Sequence, residues 1–232
     1  MDATETLSQA ERAYRVLRRE ILHGDLTPGE RLRGADLNAR FQLGLTPIRE
    51  ALMRLSVENL VEGEVNRGAR VKGASLAEFS DLMATRRAVE RLCLTASIAH
   101  GDAAWEAEIV AAMHLLSRAP LPASIEDRAA AGHWEARHRR FHLALVAACG
   151  SEWQLRFWNL LADHSERYRK LRLLRRHEAE ADVRDVNAEH RAIMQAALER
   201  DAGKAAALMD AHLAATERSV GTLLAAEGGG GH

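Results

Sequence analysis

The stretch Thr46-Pro47-Ile48-Arg49-Glu50-Ala51-Leu52-Met53-Arg54-Leu55 decides how the amino-terminal part of the chain folds. Thr46 is suited to accept a backbone N–H as N-cap, and Pro47 suits the first helical position. Apolar residues recur at three- and four-residue spacing and so share one helix face, namely Ile48, Ala51, Leu52 and Leu55. Arg49 and Arg54 lie outside that face. The pattern predicts a helix that is anchored on one side and presents cations on another.

The segments before this helix predict two further helices. A capping box formed by Ser8 and Glu11 predicts the start of a first helix, which ends at Gly24. Residues 35–41 predict a shorter second helix, and Gly44 supplies the sharp turn that joins it to the third. Two short helices joined in this way form a helix-turn-helix.

The segments after it predict a β-hairpin. Residues 60–61 and 69–71 read as two short strands, with the turn residues Asn66-Arg67-Gly68 at the tip between them. The order helix, helix, helix, hairpin is that of a winged helix-turn-helix, whose third helix enters the major groove of DNA. The alternative is a small helical subdomain whose arginines are merely solvated. The complete order of elements favours DNA binding.

Three segments, residues 24–32, 46–52 and 66–71, resemble the winged-helix domain of the GntR family of transcription regulators over about the first 75 residues. Where that family usually carries Ser-Arg or Thr-Arg, this chain has Gly44-Leu45, and the acidic residue usual in the preceding helix falls at Gly34. An arginine that often reads bases in the family is therefore missing. The resemblance implies contacts to double-stranded operator DNA from Arg33, Arg40, Thr46, Arg49, Asn66, Arg67 and Gly68.

Composition indicates an almost wholly helical protein. Hydrophobic residues make up 47% of the chain and aromatic residues only 4%, with an excess of Ala, Leu, Glu and Arg. The formal net charge of −1 gives no global attraction to nucleic acid, so DNA binding would need a local cationic patch. Cys93 and Cys149 read as reduced core residues. No signal peptide or membrane-spanning run is visible, which favours a cytoplasmic protein without a membrane partner.

From residue 76 onward the pattern predicts helices only, at about 76–99, 102–117, 123–149, 151–176, 183–200 and 203–225. The fold class is therefore mainly α, with an N-terminal winged helix-turn-helix (residues 8–73) and a C-terminal antiparallel six-helix bundle (residues 76–225). The basic run at 167–176, which includes Lys170, reads as a solvated or interface face.

Four histidines are the candidate metal ligands in the second half of the chain. His138 and His142 are neighbours on one helix face, His190 lies on the fifth predicted helix of the bundle and His212 on the sixth. A lone histidine on a helix is usually a surface or hydrogen-bonded core residue. Spacing alone leaves a metal site and this simpler interpretation equally open.

Residues 141–145, 189–193 and 210–213 resemble the effector domain of the FadR branch of the GntR family, over about residues 76–225. In many members an Asp and three His bind a divalent metal. The Asp position is His138 here, so the resemblance implies a site of His138, His142, His190 and His212. Four neutral imidazoles would favour Zn²⁺ or Ni²⁺. Glu135, Asp163 or a water are the alternatives to His138.

Arg86 lies where the family has an arginine that faces the effector pocket, and it precedes Glu90 by one helical turn. The simpler interpretation of Arg86 is an ion pair with Glu90. Functionally, a guanidinium beside a metal is suited to hold a carboxylate. Both interpretations are compatible.

The resulting hypothesis is a homodimeric transcription regulator, a repressor rather than an activator because that is the commoner behaviour in the family. A small carboxylate-bearing metabolite would control it through a metal site in the bundle. Two alternatives stay open: a metal-dependent hydrolase or dioxygenase on a helical bundle, and an interaction module with a decayed DNA-binding domain, suggested by Gly44-Leu45.

Overall fold

The computed structural model describes residues 7–64, 68–124, 126–174 and 184–228. The chain divides into two compact units, Met1–Ala74 and Ser75–His232. Within the described ranges, no helix is both long enough and apolar enough to cross a membrane.

The first unit is a winged helix-turn-helix. Its elements are α1 (Gln9–His23), β1 (Arg31–Leu32), α2 (Gly34–Phe41), α3 (Leu45–Val57), β2 (Val61–Glu64) and β3 (Gly68–Val71). The strands form an antiparallel sheet in the order β1-β3-β2, with Arg31 opposite Arg70 and Val61 opposite Val71. Strand β1 was not predicted, because two residues are too few to show the alternation that marks a strand.

Local capping sets the ends of α1 as predicted. The Ser8 side chain accepts a hydrogen bond from the backbone N–H of Glu11 at 3.1 Å, and Gly24 ends the helix in the left-handed conformation with φ of 76°. The inner face of α1 packs against α3, where Leu17, Ile21, Ile48 and Leu55 are almost completely buried.

The start of α3 differs from the prediction. Gly44, with φ of 82°, is the N-cap, and its N–H donates to Asn38 Oδ1 at 2.7 Å, so the helix begins at Leu45. Thr46 is therefore the second helical residue, and its predicted role as N-cap was wrong. Pro47 remains compatible because first-turn N–H groups have no acceptor within the helix. The predicted apolar face is confirmed by Ile48, Ala51 and Leu55, which are 0% exposed.

The second unit is a bundle of six helices in its described part. They are α4 (Leu76–His100), α5 (Ala103–Ser117), α6 (Arg128–Val146), α7 (Glu152–Leu174), α8 (Val186–Leu198) and α9 (Ala202–Gly228). Helices α4 and α7 run antiparallel, since Phe79 contacts Tyr168 at one end and Glu90 contacts Trp158 nearer the other. Cys93 and Cys149 are free and buried, as predicted.

The predicted helix at 123–149 begins later than expected. Asp127 is the N-cap of α6: its Oδ1 accepts from the N–H of Ala130 at 3.2 Å and its Oδ2 from the N–H of Ala123 at 3.1 Å. These bonds hold the preceding residues in a turn, so the periodic pattern overran the true boundary. The predicted break at residues 175–182 lies outside the described residues.

Candidate functional site

The structure brings the four predicted histidines together inside the bundle. Helix α6 supplies His138 and His142, α8 supplies His190 and α9 supplies His212. All four are buried, and one ring nitrogen from each lies within 4.8 Å of the others. Their ring centroids are between 4.4 Å and 6.2 Å apart. This spacing suits four ligands of a single metal ion.

Neighbouring aromatic rings and helix caps hold the histidines in place. Trp134, one turn before His138, stacks on its ring with centroids 4.8 Å apart. Phe141 packs against His190 at 5.0 Å. The side chain of Asp185 caps α8 by accepting from the N–H of Ala188 at 2.9 Å, which starts the helix just before His190.

Burial keeps the imidazoles neutral. It lowers the pKa of His138 and His190 well below the usual 6.5, and it lowers the pKa of His212 to about 3. The pKa of His142 is also lowered by burial, although the carboxylate of Glu90 opposes this effect. Neutral imidazole is the form that binds metal ions, so the site is already in the required protonation state at neutral pH.

Ring nitrogens without partners provide a test of whether these residues fit a metal. Both nitrogens of His142 and of His190, and Nδ1 of His138, are buried without a hydrogen-bond partner in the part of the chain that the structure describes. A buried polar atom left in this state costs free energy. One divalent ion would accept one lone pair from each ring, so the donor set fits a metal.

Carboxylates lie behind two of the rings. Glu189 Oε2 is 2.8 Å from Nδ1 of His212, whereas Glu90 Oε1 is 3.6 Å from Nδ1 of His142, beyond hydrogen-bond length. Arg184 donates from Nε and Nη2 to the two carboxylate oxygens of Glu189, and its Nη2 also donates to the backbone oxygen of His212 at 2.8 Å. Burial alone would raise the pKa of Glu189, but its bonds to His212 and Arg184 lower it to about 2. Carboxylates placed in this way orient metal-binding histidines.

The alternative ligands considered from the sequence have other partners. Glu135 is buried and accepts from Arg169 Nη2 at 2.9 Å. Asp163 forms an ion pair with Arg139. Among the described residues, the group around the candidate metal position consists of the four histidines.

Arg86 is buried next to this cluster. Its Nε lies 3.5 Å from Glu90 Oε2, and its Nη1 donates to the hydroxyl of Ser165. The predicted pair with Glu90 is therefore present. Burial lowers the pKa of Arg86 to about 10, which leaves the guanidinium charged at neutral pH. Trp158 Nε1 donates to the same Glu90 carboxylate at 2.8 Å.

Sequence reasoning missed Arg169. The run beginning at residue 167 was predicted to be a solvated or interface face, and the solvated alternative is wrong for Arg167, Arg169 and Lys170, which are 4%, 5% and 2% exposed. Arg169 Nη1 lies 3.0 Å from Ser165 Oγ, so two buried guanidiniums meet at one hydroxyl. The available signal was spacing, because Arg169 continues the buried face of α7 that carries Trp158, Ala162 and Ser165.

The predicted DNA-contacting residues lie on the first unit. Thr46 and Arg49 are exposed on α3, and Arg33 is exposed at the start of α2. Arg40 is less available, because it lies 3.3 Å from Glu20 and 3.5 Å from the backbone oxygen of Asp25. Gly68, with φ of 92°, begins β3. The remaining two predicted contacts, Asn66 and Arg67, lie outside the described residues.

Arg54 does not present the free cation that its position outside the apolar face suggested. Its Nη1 lies 2.9 Å from Glu11 Oε2, and its guanidinium lies 3.7 Å from the ring centroid of Tyr14. Arg54 therefore ties α3 to α1, whereas Arg49 projects from the same helix into solvent.

Two family descriptions match the sequence. The family of bacterial regulatory proteins called the gntR family matches residues 9–71, and the FCD domain matches residues 81–215. Together they span the winged helix-turn-helix and most of the bundle, including all four clustered histidines.

Similar proteins are transcriptional regulators. The chain is 37% identical over 206 residues to the uncharacterized HTH-type transcriptional regulator BphR of Paraburkholderia xenovorans, covering 89% of this chain and 82% of the relative. It is 36% identical over 200 residues to the HTH-type transcriptional repressor GlaR of Escherichia coli, covering 86% of this chain and 90% of that protein.

Solved structures share the fold at lower identity. A GntR transcriptional regulator from Rhodococcus sp. RHA1 matches with a TM-score of 0.72 and 21% identity, over 92% of this chain and 98% of that one. McbR/YncC of E. coli matches with a TM-score of 0.73 and 17% identity, over 93% and 98% of the two chains. The chain therefore belongs to the gntR family of bacterial regulatory proteins, and it is a DNA-binding transcriptional regulator with an FCD domain.

Proposed function

We propose that this regulator is a homodimeric, cytoplasmic repressor whose affinity for operator DNA is controlled by a small carboxylate-bearing metabolite bound at a metal site. Residues 8–73 serve as the DNA-binding domain and residues 76–225 as the effector-binding and dimerisation domain. The observation that carries the proposal is the convergence of four neutral histidines next to two buried guanidiniums that share Ser165.

The ligand chemistry selects the metal. Four imidazoles from His138, His142, His190 and His212 carry no negative charge, and nitrogen donors of this kind favour Zn²⁺ or Ni²⁺ over harder cations. The bound ion would supply a Lewis-acidic position for an effector oxygen. Glu189 orients one ligand, and Arg184 holds Glu189 in position.

The buried charges favour an anionic effector. Arg86 and Arg169 are offset by the carboxylates of Glu90 and Glu135, with which they pair. A divalent ion held by four neutral ligands then leaves a surplus of two positive charges in a desolvated interior. A carboxylate-bearing metabolite offsets that surplus, and guanidinium groups bind carboxylates through paired hydrogen bonds.

The coupling to DNA requires two arrangements of the bundle with different effector affinity. An effector that prefers one arrangement shifts the helix-packing equilibrium and thereby changes the separation of the two α3 helices in a dimer, which must match the half-site spacing of the operator. The relative GlaR is named a repressor, which supports the same sign of regulation here.

On the DNA side, Arg49 and Arg33 supply the cations of the interface. Both are exposed, and neither side chain makes an ion pair within the described part of the first unit. Thr46 is the second residue of α3, and Arg40, Asn66, Arg67 and Gly68 complete the proposed contact set. The overall charge is close to neutral, so this local patch has to provide the attraction.

The test combines metal analysis with DNA binding. Elemental analysis and native mass spectrometry of the purified full-length protein should show Zn²⁺ or Ni²⁺ bound to each subunit of a dimer. A gel shift on DNA from upstream of its own gene should show binding that a small mono- or dicarboxylate releases, and a chelator should abolish this response. A protein without metal, whose DNA binding no carboxylate alters, would contradict effector control through this site. Absence of DNA binding would instead support the interaction-module alternative.

A matched pair of variants assigns the effector contact. Arg86→Lys keeps the charge but loses the planar fork, so it should raise the carboxylate concentration needed for release while metal content stays unchanged. Arg87→Lys is the control, because Arg87 faces the surface and pairs with Asp210 at 2.6 Å. An equal response of the two variants would remove Arg86 from the effector site.

A further inference from the structure

Leu45 is a large apolar residue exposed at the leading end of the DNA-binding helix. It is the first residue of α3, and 55% of its surface is exposed. Exposed leucines are common on protein surfaces and carry no meaning singly. The position of Leu45 among the proposed DNA contacts gives it significance, as does its neighbour on α2.

The exposed face of α3 combines Leu45 with polar groups. Arg49 follows one turn later and Thr46 is adjacent, and both are exposed. The opposite face, with Ile48 and Leu55, is fully buried in the unit. If Arg49 contacts the DNA, Leu45 therefore lies against the DNA as well. Leu45 is one turn nearer the amino-terminal end of α3, and this end of a recognition helix contacts base edges.

Leu45 lies close to position 34, a glycine at the start of α2. A β-carbon at Gly34 would lie 3.7 Å from Cδ2 of Leu45, which is ordinary van der Waals distance. Any side chain at position 34 would therefore meet the residue at position 45. Because residue 34 is a glycine, it contributes no side chain that could cover Leu45.

We infer that Leu45 is a specificity determinant of this regulator, and that its side chain contacts the 5-methyl group of a thymine in the major groove of the operator. The inference rests on the proposed function in one respect, the placement of α3 in the groove. The thymine methyl is the apolar group that bases present on this edge, whereas guanine presents the acceptors N7 and O6. Leucine offers no donor to guanine, so a guanine at this position would lose its hydrogen-bond partners on binding.

The test begins with the wild-type full-length protein and a random DNA library, from which an operator sequence is selected. Each thymine of that operator is then replaced by deoxyuridine, which removes the methyl group and leaves every hydrogen-bonding group in place. Fluorescence anisotropy should reveal one position in each half-site at which this replacement weakens binding about fourfold, the ratio that corresponds to roughly 0.8 kcal/mol for one buried methyl-sized group.

Variants then assign that position to Leu45. Leu45→Ala should bind the thymine and deoxyuridine operators equally, whereas Met53→Ala, which removes an exposed apolar side chain further along α3 (71% exposed), should retain the preference for thymine. Leu45→Arg supplies hydrogen-bond donors and should instead select guanine at the same position. Circular dichroism and thermal unfolding of the Leu45 and Met53 variants should match wild type, since both side chains are exposed.

Three results would overturn the inference. One is that deoxyuridine weakens wild-type binding at no position of the operator. DNA binding itself, and with it the proposed function, would then still stand. Another is a thymine preference that persists in Leu45→Ala. A wild-type protein that selects no DNA would overturn both this inference and the proposed function on which it rests.

Discussion

Glu189 on α8 reaches across to α9, where its Oε2 atom lies 2.8 Å from Nδ1 of His212. The next residue of α8 is His190, so one residue orients a candidate ligand from another helix while its neighbour supplies a ligand itself. A hydrogen bond from Nδ1–H to the carboxylate fixes the tautomer of His212 and leaves the lone pair of Nε2 for a metal.

Removal of this carboxylate should weaken metal binding. Glu189→Ala is expected to lower metal affinity by about 10- to 100-fold, since the His212 ring loses its orientation and its basicity. Glu189→Gln should have a smaller effect because it keeps an acceptor. Competition titration with a chromophoric chelator provides the measurement, and Glu199→Ala at the exposed end of α8 is the control. Equal affinities for all these proteins would show that Glu189 has no positioning role.

Each of three histidines should be needed for metal occupancy. The bound metal should fall strongly in each of three variants, His142→Ala, His190→Ala and His212→Ala. A chelator should lower the thermal stability of wild type, because the metal binds the folded state preferentially. It should have little effect on the stability of these variants. His114→Ala, an exposed histidine on α5, should behave as wild type. If the chelator leaves the melting temperature of wild type and of every variant unchanged, the cluster is a core feature and not a metal site.

His138→Asp should alter which metal binds. The substitution adds a negative charge and a hard oxygen donor, so we expect retained binding with a preference shifted towards Mn²⁺, and a weaker attraction for an anionic effector. Elemental analysis after incubation with equimolar Zn²⁺, Ni²⁺ and Mn²⁺ measures the shift. A wild type without metal beside a His138→Asp variant that binds it would mean that the natural site is degenerate and that the effector is held by Arg86 and its polar neighbours.

The metal-free protein should lose stability as the pH falls. Burial holds the pKa of the clustered histidines below 6.5, to about 3 for His212. Between these pH values the unfolded chain binds more protons, so the free energy of unfolding decreases by about 1.4 kcal/mol per pH unit for each imidazole that stays neutral when folded. The lowered pKa of Glu189 acts in the same direction below pH 4.5. Urea unfolding of the chelated protein at several pH values measures this, and a stability that is constant from about pH 7 to about pH 5 would contradict it.

Arg49→Ala should weaken operator binding by about 1–3 kcal/mol if the guanidinium contacts a base through two hydrogen bonds. Helical circular dichroism and dimerisation should not change, because the side chain is exposed. Arg54→Ala removes the same charge from the same helix but breaks the contact with Glu11 and Tyr14, so it should chiefly lower the melting temperature. Unaltered DNA affinity in Arg49→Ala would remove that residue from the interface.

Arg67 at the predicted wing tip is expected to contact a phosphate. Arg67→Ala should therefore weaken binding to all sequences alike and reduce the salt dependence of log K by about one unit. A salt titration on specific and unrelated DNA measures both quantities. A change in base preference with an unchanged salt slope would contradict a phosphate contact.

Local signals explain what sequence reasoning predicted well. The Ser8 capping box and Gly24 act on backbone groups within one helical turn, so the limits of α1 followed from a few neighbouring residues. The apolar periodicity of α3 correctly identified its buried face. The same method failed at Thr46, because the N-cap role was taken by Gly44, whose N–H bonds to Asn38 on the preceding helix.

Long-range contacts explain what it missed. His138 and His142 are neighbours by helix geometry, but their meeting with His190 and His212 depends on how α8 and α9 pack against α6. A resemblance to a known family suggested that meeting, whereas spacing left it open. Similarly, Arg169 reads as one more cation in a basic run, and its burial follows from Glu135 on α6 and Ser165 on its own helix.

Most helices and their apolar faces could be read from the sequence, because capping, turn residues and periodicity act over a few residues. Which polar groups are enclosed together depends instead on tertiary packing. A buried cation such as Arg86 or a neutral histidine such as His190 is stable only where distant segments supply its partners, and whether they do depends on the packing of whole helices against one another.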